Sequence, residues 1–237
     1  MDPNQDRERD TDTVAVEYRR DISDSLTVAA SGRYDDNSEF ESANTYRVEA
    51  VYQLNDTARL RSAYGTAVKN PTFSERFGFY TNFIGNANLE PEESTSWELG
   101  IDQQFGALSL SATLFDSELD NEIDGFVYDP ANFAYTSGNK EGISQRQGLE
   151  LTASGSLTDT IALSAAYTYT DSVESDGAGG YKDEIRRARH TASLNMSWQV
   201  MDGLHINTNA QYSGSQTDVF FPPWPTPSQT VTLADYT

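Results

Sequence analysis

The sequence predicts an all-β chain, an antiparallel meander of about ten or eleven strands forming part of a transmembrane β-barrel. Three observations carry this: apolar residues recur with a period of two, connections alternate between short and long, and each hairpin has one register that keeps its apolar side chains together. Successive side chains of a strand point to opposite faces, so strict alternation marks a strand with one apolar and one polar face. Tyr46, Val48, Ala50, Tyr52 and Leu54 alternate with Thr45, Arg47, Glu49, Val51 and Gln53. The pattern returns at Trp97, Leu99, Ile101 and Phe105, at Leu108, Leu110, Ala112 and Leu114, and at Leu149, Leu151, Ala153 and Leu157. It continues through Ile161, Leu163, Ala165, Tyr167 and Tyr169, then Ala192, Leu194, Met196, Trp198 and Val200, then Leu204, Ile206, Ala210 and Tyr212. No stretch follows a helical period.

In chain order the strands fall near 13–20, 26–34, 45–54, 58–67, 94–105, 108–118, 147–156, 161–171, 188–200 and 204–214, with an eleventh starting near 230. Short connections lie at 21–25, 55–57, 106–107, 158–160 and 201–203, and long ones at 35–44, 68–93, 119–146, 172–187 and 215–229. Strands of about 9–11 residues, tight turns at one end and long loops at the other are the outer-membrane barrel pattern. Register is fixed by parity. A three-residue turn at 55–57 pairs Tyr52 with Leu60, Val48 with Tyr64 and Gln53 with Arg59, and sets Glu49 diagonal to Arg61. A two-residue turn at Gly106-Ala107 pairs Phe105 with Leu108 and Leu99 with Leu114, and three residues at 201–203 pair Trp198 with Ile206 and Ala192 with Tyr212. A soluble sandwich alternates too. Against it stand the long loops at one end, the Ser, Thr, Asn, Gln and Arg of the polar face, and Tyr18, Tyr34, Tyr64, Tyr169 and Tyr212 near strand ends, where amphipathic rings suit a headgroup layer.

Composition narrows the function classes. The 237 residues carry a formal charge of −21, which opposes nucleic-acid phosphate. Mean hydropathy is −0.61 and no apolar run reaches the ~20 residues of a membrane helix. Cysteine is absent, which removes disulfides, Cys-ligated zinc and thiol catalysis and fits an extracytoplasmic setting. The start, Met1-Asp2-Pro3-Asn4, lacks the basic and apolar regions of a signal peptide, so the expectation is a cytoplasmic protein or one whose natural beginning is missing.

The segment from Arg61 to Phe105 carries Tyr64-Gly65-Thr66, Asn70-Pro71-Thr72-Phe73, Gly85-Asn86-Ala87-Asn88-Leu89-Glu90-Pro91-Glu92 and Ser96-Trp97-Glu98-Leu99-Gly100. With Gly148-Leu149-Glu150-Leu151 and Tyr167-Thr168-Tyr169 further on, it resembles the barrel of TonB-dependent outer-membrane receptors, nearest to the cobalamin and siderophore receptors. The resemblance implies a 22-stranded barrel filled by a plug domain, energised through TonB, importing a metal chelate or cobalamin across the Gram-negative outer membrane, with lipid and lipopolysaccharide around it. It implies no catalysis. The expectation is a piece of such a barrel, residues 1–237 without plug, TonB box or last strands, which alone aggregates or stays unfolded because open sheet edges are costly in lipid. A porin-like passive channel and a soluble β-sandwich binding module remain as alternatives.

Candidate site residues follow. Aromatic residues crowd two long loops: Phe73, Phe77, Phe79, Tyr80 and Phe83 with Lys69 and Arg76 in one, and Phe220, Phe221 and Trp224 among prolines in the other. Large aromatic loops at a barrel mouth suit stacking on a flat chelate or macrocycle. Arg47, Glu49, Arg59 and Arg61 belong to the lumen face, where the resemblance gives them polar contacts to the plug. No catalytic residue and no metal site is expected. His190 and His205 sit about 30 Å apart along the strand pair. Asp35, Asp36, Glu39, Glu41, Asp120, Glu122, Asp124, Asp129, Glu174, Asp176, Asp183 and Glu184 crowd the long loops. Calcium there is conceivable, but no run has EF-hand spacing, and the expectation is a solvated or lipopolysaccharide-facing acidic surface. The run 176–180 lacks the lysine and helix of a phosphate loop and reads as a loop tip.

Overall fold

The computed structural model describes residues 6–80, 82–176, 180–223 and 225–237. Its strands are β1 (Thr11–Ser23), β2 (Leu26–Asn37), β3 (Ala43–Asn55), β4 (Ala58–Lys69), β5 (Glu92–Phe105), β6 (Leu108–Asp120), β7 (Ile123–Asp129) and β8 (Ala134–Asn139). They continue as β9 (Ser144–Ser156), β10 (Ile161–Ser175), β11 (Tyr181–Asp183), β12 (His190–Met201), β13 (Leu204–Ser213), β14 (Gln216–Phe220) and β15 (Gln229–Leu233). One short helix, α1 (Phe73–Phe77), interrupts the loop between β4 and β5.

Ten long strands form one antiparallel wall in the order β1-β2-β3-β4-β5-β6-β9-β10-β12-β13, and the sheet does not close. These are the first ten predicted strands, the first eight longer than expected, mostly at their outer ends, and β12 and β13 each one residue shorter. The segment near 230 is a strand, but β15 pairs with β14 rather than extending the wall; only Tyr236 returns, bridging Ser213 through two 3.0 Å backbone hydrogen bonds. The hairpin β7–β8, strand β14, and β11 against the end of β10 lie in stretches predicted as loops, at 119–146, 215–229 and 172–187.

The strand registers are those that parity predicts. Tyr52 faces Leu60, Val48 faces Tyr64, Leu99 faces Leu114, Trp198 faces Ile206 and His205 faces Gln199. The mechanism of the three-residue turns is more specific than expected: Asn55–Ala58 and Met201–Leu204 close two-residue turns, each with a register shift one residue upstream. The bulge supplies the odd residue that parity requires. Ser23–Leu26 is built the same way.

Among the described residues no second sheet lies over the wall: its strands contact mainly their ladder neighbours. Val16 keeps 68% of its surface exposed and Leu99 48%, and their neighbours along the apolar face are similarly bare. A water-soluble sandwich would bury that face. Among the described residues the buried apolar side chains are Ala58, Pro71, Phe83, Leu89 and Ala134, so most of the packed interior lies among the loops. There Thr72 caps α1 in a capping box with Glu75, and the chain then reverses through Gly78 and Gly85, both at positive φ. A Cβ on Gly85 would stand 2.4 Å from the Gly78 nitrogen, so this reversal needs glycine.

Candidate functional site

Three groups of side chains converge near the long-loop end or on the polar face of the wall. The first is aromatic. The loop after α1 is zipped to the β7–β8 hairpin: the Ile84 amide donates to the Tyr135 carbonyl (3.0 Å) and the Tyr135 amide to the Asn82 carbonyl (2.7 Å). Asn86 Nδ2 donates to the Ser137 carbonyl (3.1 Å), and Asn139 Nδ2 to the Glu90 carbonyl (3.0 Å). This brings rings from two loops together. Phe79 packs on Tyr80 (4.6 Å between centroids) and Phe83 (4.9 Å), Phe83 reaches Phe126 (6.0 Å), and Phe126 stacks on Tyr135 (4.3 Å), which meets Tyr128 edge-on (5.5 Å). Phe83 is buried, whereas Phe79, Tyr80, Phe126 and Tyr128 stay largely open. One anchored ring thus supports a shelf of exposed ones.

Arg76 and Phe77 are elsewhere. Arg76 donates to Glu39 Oε2 (2.8 Å) and lies over the Phe40 ring (4.9 Å) and the Phe77 ring (5.0 Å). Arg9 joins them, paired with Glu39 (3.0 Å) and placed over Phe40 (4.8 Å) and Phe73 (4.9 Å). These contacts staple α1 to the loop after β2. Phe220 and Phe221, both exposed, sit at the end of β14, whose Asp218 accepts from Arg186 Nε (2.8 Å). Trp224 and residues 177–179 lie outside the described residues. The residues that the sequence groups in one aromatic loop are thus divided between two clusters, and Phe126, Tyr128 and Tyr135 join the first of them without having been expected there. The alternation of Phe126 and Tyr128, the Asp129-Pro130 turn signal, and then Phe133 and Tyr135 would have located that hairpin.

The second group is a half-buried ion-pair cluster at the rim. Glu122 accepts from Lys140 Nζ (3.2 Å) and Arg146 Nη2 (3.2 Å), Glu174 pairs with Lys140 and with Lys182 (3.1 Å), and Glu184 accepts from Arg146 Nε (2.9 Å), Arg187 Nε (3.1 Å) and Ser172. Burial pushes the Glu184 carboxyl up, but the hydrogen bonds from Arg146 and Ser172 and the charge of Arg146 outweigh it and hold the pKa at about 2. Burial pulls the Lys140 ammonium down, yet Glu174 and Glu122 raise it above its ordinary value. Since Glu184 is depressed from 4.5, the stability it contributes is present above pH 4.5 and is lost as pH falls towards 2. Lys140 contributes below 10.5, and that contribution is lost as pH rises through its raised value. A fluorophore at Ile185→Cys in the folded protein is expected to keep its anisotropy down to about pH 4.5 and lose it towards pH 2. Glu184→Gln should abolish that step. Several of the acidic loop residues are thus already cation partners, and among the described residues no three His, Cys, Asp or Glu side chains converge on a metal-sized site.

The third group lies on the polar face of the wall. Arg47 pairs with Glu49 on its own strand. Asp102 accepts from Arg59 Nε (2.8 Å), Arg61 Nε (3.4 Å) and Ser111 Oγ (2.7 Å), and Arg61 Nη2 reaches on to Ser111 (3.2 Å) and Thr113. Arg61 turns to Asp102 rather than to Glu49, its diagonal neighbour. It lies flat across Gly100, where a Cβ would stand 2.7 Å from its Cζ. Asp102, Gly100, Ser111 and Thr113 complete a network of which the sequence reading found the arginines.

Comparison with known proteins agrees with this architecture. Residues 2–237 match the family described as TonB dependent receptor-like, beta-barrel. The chain is 30% identical over 215 residues to the vitamin B12 transporter BtuB of Photobacterium profundum, covering 89% of this chain and 34% of that protein. Its fold superposes on the siderophore receptor PirA of Acinetobacter baumannii with a TM-score of 0.76 at 20% identity, over 96% of this chain and 38% of that one. The ferripyoverdine receptor of Pseudomonas aeruginosa, solved with ferripyoverdine bound, gives 0.71 at 21% identity, over 96% and 32%. The chain spans about a third of the length of these relatives. With a match running the length of the chain and a wall that no second layer covers, this chain belongs to the TonB-dependent receptor family, within its β-barrel.

Proposed function

We propose that this wall belongs to a longer outer-membrane receptor that imports a metal–siderophore or cobalamin-type ligand, working with its own plug domain and the TonB complex. The observation that supports this best is the aromatic shelf of Phe79, Tyr80, Phe126, Tyr128 and Tyr135 held open over buried Phe83. Exposed rings fixed by a hydrogen-bonded frame lose little freedom on binding and offer flat apolar area to a macrocycle or aromatic chelate. Phe220, Phe221 and Trp224 would extend the contact from the second loop. Arg76 serves this reading indirectly, by fixing α1 and hence the start of the shelf. Arg47, Glu49, Arg59 and Arg61 would face the lumen and the plug, and the apolar face would meet lipid, with lipopolysaccharide at the rim. No residue is assigned a catalytic role.

The test is binding and uptake of radiolabelled cobalamin and of radioiron chelates by cells carrying the complete receptor. Phe79→Ser combined with Phe126→Ser should weaken surface binding of the imported ligand by about tenfold or more, since each aromatic contact is worth about 0.5–1.5 kcal/mol beyond its buried area. Unchanged binding would sink the shelf as the ligand site. Uptake that persists without an energised inner membrane would identify a passive channel instead.

A further inference from the structure

The polar face of the wall divides into two chemically distinct halves. The strands β1 to β5 carry fixed charge: Glu17 and Arg19, then the ion pairs Arg33–Asp35 and Arg47–Glu49, then Arg59 and Arg61 on Asp102. From β6 onward the same face is nearly free of charge. Ser193, Asn195 and Ser197 of β12 stand opposite Gln211, Asn209 and Asn207 of β13. On β10, Ser164 and Thr168 continue the row, and Glu150, between Thr113 and Thr168, is the one carboxylate in mid-wall. Among the described residues, every ion pair of this half lies at the rim, in the clusters of Lys140, Arg146, Arg186 and Arg189 with their acids. Alternation alone demands polar residues on this face, not this partition.

The partition has a physical consequence for a solute. A fixed charge in a partly dehydrated lumen binds its counter-group strongly and holds it, because the local dielectric is low. Hydroxyls and amides offer many exchangeable hydrogen bonds worth about 0.5–1.5 kcal/mol each. A path that conducts must bind at many sites weakly rather than at one site tightly. Asn195 and Asn209 show the amide side of this, since Asn209 Nδ2 donates to Asn195 Oδ1 and both remain exposed.

We infer that the uncharged polar face of β10, β12 and β13 is the track along which a solute rich in hydroxyl and amide groups, its charge masked, crosses the barrel. The charged face of β1 to β5 is the side the solute avoids. The inference rests on the transport reading above and adds to it a side of the lumen and a chemistry.

Two positions at equal height separate the halves: Asn209 lies six residues beyond Gly203, and Ser31 six residues beyond Ser25. Cells carrying the complete receptor are given radiolabelled cobalamin and radioiron trihydroxamate and tricatecholate chelates, and surface binding and uptake are read separately. Asn209→Lys and Asn209→Asp should each cut uptake about tenfold while surface binding and heat-modifiable gel migration stay at the unmodified level. Asn209→Gln should import normally, and Ser31→Lys should lower uptake less than about threefold. Import indifferent to Asn209→Lys and Asn209→Asp, or a larger loss from Ser31→Lys, overturns the inference alone. If the unmodified receptor imports none of the probes, the transport reading falls, and the inference with it. A loss of gel migration in the Asn209 variants would show a structural role for that face and equally overturn the track.

Discussion

Leu114→Arg in the complete receptor is expected to destabilise the folded barrel by about 2–4 kcal/mol. Leu114 sits near the middle of β6 on the apolar face, between Leu99 of β5 and Leu149 of β9, and it is half exposed with no second layer to cover it. In a membrane that exposure is contact with hydrocarbon, where a guanidinium has neither water nor a counter-charge. Thr152→Arg on β9 is the matched control. Its side chain belongs to the opposite face, in line with Ser111 and Ala166, and it should change stability by less than about 1 kcal/mol. Denaturant titration of the receptor in lipid vesicles, read by gel migration with and without heating, measures both. Equal losses at the two sites would show that the faces do not differ in what they meet.

Gly148→Ala is expected to prevent correct pairing of β9 with β10, at about 3 kcal/mol or more, since backbone rather than a movable side chain is in the way. An added Cβ there would stand 2.0 Å from the Tyr169 carbonyl oxygen and 2.7 Å from Cζ of Phe115, whose ring lies against the glycine. Relief requires both strand neighbours to shift. Gly125, by contrast, has open space around the position of a Cβ, and Gly125→Ala should be close to neutral. The yield of heat-modifiable receptor in outer-membrane preparations separates the two. Full yield of Gly148→Ala would mean that the β9–β10 ladder is looser than its geometry indicates.

The wall was legible because its signals are local. Tyr52 and Leu60 are eight residues apart across a tight turn, and parity leaves one register for them. The turn bulges at Leu54 and Val200 were hidden, yet their effect, one additional residue, was already counted. Long loops transmit no register. Arg59 faces Asp102 only because β4 and β5 are aligned across 22 intervening residues, and nothing local to either strand specifies that alignment. The same limit explains Arg76. In sequence it belongs with Phe77, Phe79 and Tyr80; in space its guanidinium is claimed by Glu39 and Phe40 from another loop. Helix α1 has five residues, too few to show a period, and only Thr72 and Glu75, with the spacing of a capping box, mark it in the sequence. The hairpin β7–β8 has no clean alternation, because its rings cover a neighbouring loop rather than a sheet face and its register slips between Asp124 and Val127.

The most direct test is a single-cysteine scan along β9, from position 149 to 153, in the complete receptor reconstituted into lipid vesicles. This chain has no cysteine of its own. A spin label at Leu149, Leu151 or Ala153 should be relaxed by oxygen dissolved in the bilayer, and one at Glu150 or Thr152 by a water-soluble nickel chelate. Two interleaved series, out of phase by one residue, are the expected result. Labels reached equally by both reagents along the strand, or an inverted phase with Thr152 in lipid and Leu151 in water, would contradict the assignment of this sheet as a barrel wall.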